Sequence, residues 1–123
     1  MFVYTEGMNE EFTKWIDRKI EASGLSRKQI IQKSSLEQSY GYKLLKGTRH
    51  TSERDYILDL CFAIRMNAEE TQHTLRLYEM PLLSSWKGRD SLILYALDHH
   101  FSLDDANELL EENGYKFLKC SGF

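Results

Sequence analysis

The feature that most narrows the fold is a repeat in the second half of the chain at an offset of 35 residues. Arg54-Asp55 aligns with Arg89-Asp90, Tyr56-Ile57-Leu58 with Ser91-Leu92-Ile93, and Met66-Asn67-Ala68-Glu69-Glu70 with Phe101-Ser102-Leu103-Asp104-Asp105. Leu75 then matches Leu110, and Leu83 matches Leu118. The matched positions share physical roles. Asn67 and Ser102 suit the free N–H groups at a helix start, and the acidic pairs behind them suit the positive end of a helix dipole. Each copy therefore reads as a helical hairpin, with Pro81 to Gly88 closing the first before the second begins. Two copies are fewer than the three or so that a free solenoid needs, so they should pack on the segment that precedes them.

That segment also reads as helical. Phe12, Trp15, Ile16, Lys19 and Ile20 recur at helical spacing between Asn9, a candidate cap, and Ser23, and Gly24 ends the run. Ser26 followed by Gln29 makes a capping-box start for a short second helix whose inner residues are Ile30 and Ile31. Ser34 and Ser35 interrupt it, and Leu36 is an apolar turn residue. Glu37 to Lys46 forms a third helix, with Tyr40, Gly41 and Leu44 on its inner side and Gly47 as its stop. The expected fold is all-α. At 123 residues one core is sufficient, and 41% hydrophobic with 12% aromatic residues excludes a disordered chain.

Charge is distributed unevenly over this frame. From Ser26 to His50, six bases (Arg27, Lys28, Lys33, Lys43, Lys46 and Arg49) face one acid, Glu37, a net of +5 that leaves −8 on the rest of a chain totalling −3. A basic segment on an acidic body is the electrostatic pattern of a nucleic-acid binder. If Leu36, Tyr40 and Leu44 point inward, then Gln38, Ser39, Tyr42, Lys43 and Lys46 point outward, where they can reach base edges and phosphates of double-stranded DNA. Arg27 and Lys28, opening the second helix, and Arg49, after the third, complete the DNA-binding set.

Other chemistries lack the residues they need. There is no glycine-rich phosphate loop, no GxSxG and no cysteine in a nucleophile motif, so no enzyme is expected. His99, His100, Asp98, His73 and Cys120 do not place two ligands one turn apart on a single helix, so neither metal nor cofactor is expected. The acids Asp104, Asp105, Glu108, Glu111 and Glu112 read as a solvated helix face. Trp15 and Trp86 read as core or hairpin contacts, leaving Tyr42 as the aromatic at a binding surface. Cys61 and Cys120 read as reduced thiols of a cytoplasmic protein, and no stretch reaches the ~20 apolar residues of a membrane span.

The stretch Leu25-Ser26-Arg27-Lys28-Gln29-Ile30, continuing through Ser39-Tyr40-Gly41-Tyr42-Lys43-Leu44 to Lys46-Gly47-Thr48-Arg49, resembles the Cro/cI-repressor type of bacterial helix-turn-helix regulator, also called XRE-like. Together with Arg54-Asp55, Glu69-Glu70-Thr71 and the hairpin Arg89-Asp90 to Leu110, it resembles a subgroup of that type carrying a C-terminal pair of helical hairpins. The resemblance implies a lambda-repressor-like helix-turn-helix region over 9–79 and a C-terminal hairpin over 80–118 packed on it. It further implies that Gln38, Ser39, Tyr42 and Lys43 read DNA, that the chain regulates transcription by occupying an operator, and that it does so as a homodimer. Four positions depart from the type. Ile31 replaces an alanine, Ser35 a glycine, Gly41 a branched apolar residue and Leu45 a glutamate. The first and third should compensate sterically, Ile31 filling the space that Gly41 vacates. The departures also leave open a module that keeps the fold, has given up DNA and holds a protein partner through its acidic C-terminal hairpins or its Tyr42 face.

Overall fold

The computed structural model of the chain describes residues 6–118, with side chains described from residue 10 onward. It is all-helical: α1 (Glu6–Ser23), α2 (Arg27–Lys33), α3 (Gln38–Lys46), α4 (Arg54–Ile64), α5 (Ala68–Leu77), α6 (Gly88–Asp98) and α7 (Leu103–Glu112), with no strand among the described residues. Because α1 begins at Glu6, Asn9 lies inside the helix and is not its cap. Cys120 lies outside the described residues.

The packing is organised around α4. Every residue from Ile57 to Ile64 is buried, Asp59 included. A helix with no polar face has to be enclosed, and α1, α2, α5 and α7 all pack against it. α1 contributes the stripe Phe12, Ile16 and Ile20, one residue per turn. Its neighbouring stripe reaches α5, where the Trp15 indole N–H donates to the Thr74 hydroxyl at 2.8 Å and Lys19 pairs with Glu70 at 2.6 Å. Burial tends to raise the Glu70 carboxyl, but the Lys19 ammonium and the Asn67 N–H outweigh it and hold the group below its usual value. Cys61 sits in the core with its thiol pushed up by burial to about 12, which leaves it unreactive.

Positions 35 residues apart adopt the same local geometry. The corner residues Arg65 and His100 both have left-handed backbones, with φ of 68° and 54°. Asn67 caps α5 through the Glu70 N–H at 2.8 Å, and Ser102 caps α7 through the Asp105 N–H at 3.1 Å. The Gln72 side chain clasps the Leu83 backbone by two hydrogen bonds of 2.8 Å, and Asn107 clasps Leu118 at 2.9 and 2.6 Å. Leu75, Leu83, Leu110 and Leu118 fill the core at matching places.

The two Arg-Asp dipeptides pair crosswise. Arg54 donates to both carboxylate oxygens of Asp90, at 2.7 and 3.3 Å, and Arg89 to both of Asp55, at 2.9 and 3.2 Å. Each arginine also donates to the extended segment behind its own helix pair, Arg54 to the Pro81 carbonyl and Arg89 to the Lys116 carbonyl. Reciprocal contact, in which each partner contacts the other through the same residues, is the signature of two-fold symmetry. The helix contacts repeat it, since α4 touches α7 and α5 touches α6.

Trp86 corrects the sequence expectation. It is 93% exposed. Leu83 already takes the core position in this connection, and the Ser84 N–H is held by Asp90 at 2.9 Å, so the backbone turns outward before Trp86 is reached.

The crossed pairs differ in burial, with the Asp90 side chain 8% exposed and that of Asp55 21%. Arg54→Ala strands a buried carboxylate and should cost about 2–3 kcal/mol, whereas Arg89→Ala should cost about 1 kcal/mol. Urea unfolding of the single and paired variants checks both values, with the larger Arg54–Asp90 coupling energy as the expected result.

Candidate nucleic-acid interface

The site is built on α2, α3 and the turn between them. Ser26 and Gln29 form the capping box that starts α2, and Ile30 and Ile31 bury its inner face. The chain then leaves the helix at Ser34, whose hydroxyl donates to the Ile31 carbonyl at 2.8 Å. Ser35 is tied to the protein centre, because its N–H and its hydroxyl both donate to the carboxylate of Asp59, which is 1% exposed on α4. Leu36 is buried beside it. An acid within the apolar run Ile57-Leu58-Asp59-Leu60-Cys61 was the signal in the sequence for this anchor.

Glu37 begins α3. Its carboxylate accepts the Ser39 and Tyr40 N–H groups at 3.1 and 2.8 Å. Those bonds hold its pKa below the usual carboxylate value, with a further contribution from Lys43. The one acid of the basic segment is thus spent on the positive end of the helix. At the other end Gly47, with φ of 75°, turns the chain out of α3 behind Lys43 and Lys46, the cations of the last turn.

Gln38, Ser39, Lys43 and Lys46 are exposed and fall along one stripe of α3. Arg49 is exposed after it, with its guanidinium 5.5 Å from the centre of the Tyr40 ring. Two residues are placed differently from the expectation. Tyr42 is half-buried and packed on the core, so only its edge lies on the surface. Arg27 is drawn back to α1 in an ion pair with Asp17, while Lys28 is exposed. Both members of the Arg27 pair are exposed, which makes it a weak competitor for a phosphate. Leu45 faces the core at 1% exposure, so a glutamate there would have been buried.

The loop that carries Arg49 is docked by Tyr78. The Tyr78 hydroxyl accepts the Thr51 N–H at 2.9 Å, and His50 stacks on its ring at a centroid distance of 4.7 Å. Burial holds the His50 imidazole below its ordinary pKa. Among the described residues, no three of His, Cys, Asp and Glu converge to hold a metal. Comparison with models of protein families, with curated proteins and with solved structures finds no match to the chain.

The contact between α2 and α3 is made by Ile31 and Gly41. A Cβ placed on Gly41 would lie 2.7 Å from the Ile31 Cδ1 and 3.5 Å from the Leu36 Cβ, so the two residues interlock. Helix propensity alone would make Gly41→Ala stabilising by about 1 kcal/mol. With Ile31 present, the overlap should cancel or reverse that gain. In an Ile31→Val background, which lacks only the colliding methyl, the same change should stabilise by about 1 kcal/mol, as read by thermal unfolding. A second expectation concerns acid. A histidine whose folded pKa lies below its unfolded value of about 6.5 contributes stability above that pH and loses it as the pH falls. Stability measured from pH 7 to 5 should therefore decline, and His50→Phe, which keeps the ring stack, should flatten the decline.

Proposed function

We propose that α2 and α3 form a lambda-repressor-like helix-turn-helix and that the chain is a sequence-specific DNA-binding transcriptional regulator, not an enzyme. In this reading the region over 9–79 binds DNA, and the hairpin over 80–118 is the second of two tandem copies packed on it. The observation that carries the proposal is the outer stripe of α3. Gln38, Ser39, Lys43 and Lys46 stand exposed with no free acid among them, on a helix of the size that a major groove about 12 Å wide admits. Gln38 is suited to address adenine with two hydrogen bonds, and Lys43, Lys46 and Arg49 to hold phosphates. The Asp59 anchor makes the turn rigid, so α3 is presented in a fixed attitude. Regulation is by operator occupancy, with two copies of the chain on half-sites about one helical turn apart.

A protein-binding module on the same fold is the second reading. It is favoured by the exposed apolar side chains Leu82, Trp86, Tyr95, Tyr115 and Phe117, which all lie from the end of α5 onward.

Fluorescence-anisotropy titration of random-sequence duplex DNA at two salt concentrations separates the two. DNA binding should weaken by roughly 0.9 log units per log unit of salt for each phosphate neutralised. Lys46→Ala should weaken all sequences alike and reduce that slope by about 1, while Gln38→Ala should lose about 1–3 kcal/mol of discrimination at one base pair of a selected operator. Absence of binding at low salt would leave the protein-binding module standing.

A further inference from the structure

A cleft of about 720 Å³ opens between the α2–α3 turn and the corner joining α6 to α7. Its floor is the end of α4 with the buried side chains of Phe62, Met66, Leu97 and Leu103. Its rim is basic. Lys33 stands on the wall formed by α2, and Arg65 and His100 stand at the corners of the two helix pairs, against one lining acid, Asp104. All three basic side chains are exposed, and among the described residues none of them is in an ion pair.

Of the other polar side chains of the cleft, the Gln32 amide is exposed on the α2 wall and the three serine hydroxyls are already committed. The Ser34 hydroxyl serves the Ile31 carbonyl and the Leu36 N–H, Ser35 is bound to Asp59, and the Ser102 hydroxyl caps α7. What remains for a ligand is an apolar floor under a rim where Lys33, Arg65 and His100, with the Gln32 amide, outnumber the one acid, Asp104. Arg65 and His100 also hold left-handed backbones that glycine would adopt more easily, so bulky basic side chains stand at both corners despite the conformational cost.

We propose that this cleft binds a small organic anion, an acidic headgroup on an apolar body, with the headgroup held between Lys33 and the Arg65–His100 corners. A volume of this size is ordinary for a small-molecule site in which a few polar groups set orientation over an apolar lining. The proposal does not rest on DNA binding. Such a ligand would bridge the helix-turn-helix wall and the C-terminal wall, and would therefore raise the unfolding temperature as its concentration rises.

The test uses the full chain and the fluorescent anion 8-anilinonaphthalene-1-sulfonate, with decanoate and decanol as competitors. The proposal expects saturable one-site binding that decanoate displaces at concentrations where decanol does not. Arg65→Gly, a change the left-handed backbone accepts without strain, and Lys33→Ala should each weaken binding about tenfold, the size expected for losing one charged hydrogen-bond partner. Trp86→Ala should leave binding unchanged. Circular-dichroism melts confirm that each variant is folded, so that probe binding to loosened protein is recognised. Non-saturable binding, equal competition by decanol, affinities unchanged in both cleft variants, or loss in Trp86→Ala would each overturn the proposal.

Discussion

A helix that is apolar on every side has to be covered on every side, and α4 imposes that requirement on the rest of the chain. From Ile57 to Ile64 it exposes nothing, so α1, α2, α5 and α7 are arranged by the need to enclose it. The one carboxylate within that buried run, Asp59, escapes the cost of burial because Ser35 donates two hydrogen bonds to it. The same bonds fix the turn that aims α3. Core formation and presentation of the basic helix are therefore one event: whatever loosens α4 loosens the site.

The helix pairs behind α4 solve a second problem, that of joining two similar units without a large new interface. The crossed Arg54–Asp90 and Arg89–Asp55 pairs lie where the units meet, and each arginine also holds the segment that trails its own unit. Charged pairs add little through raw attraction once desolvation is counted, but misplacing them is costly, so they favour one registration over others. In this chain they are better understood as fixing the alignment of α6 and α7 on α4 and α5 than as the source of stability, which comes from Leu75, Leu110, Leu118 and their neighbours.

Periodicity and capping chemistry made most of this legible in the sequence, because both act within a few residues. The capping box at Ser26, the caps at Asn67 and Ser102 and the stops at Gly24 and Gly47 are where the residue types placed them. The interlock of Ile31 with Gly41 was also foreseeable, since a large residue faces a glycine across one helix contact. What the residues could not show depends on neighbours distant in the chain. Tyr42 turned partly inward, Arg27 found Asp17 on the preceding helix, and Trp86 was left in solvent because Leu83 had already taken the core position. The crossed pairing of the Arg-Asp dipeptides is likewise invisible in a repeat, which shows that two positions are alike but not that they touch.

The central claim, that the outer stripe of α3 is a DNA-binding face, is tested most directly by following the backbone amide NMR signals of the 14.5 kDa chain while duplex DNA is added. The account predicts shifts concentrated at residues 27–28 and 38–49, with the amides around Trp86 and Phe117 unmoved. Shifts centred on Trp86, Tyr115 and Phe117, or none at α3, would contradict it.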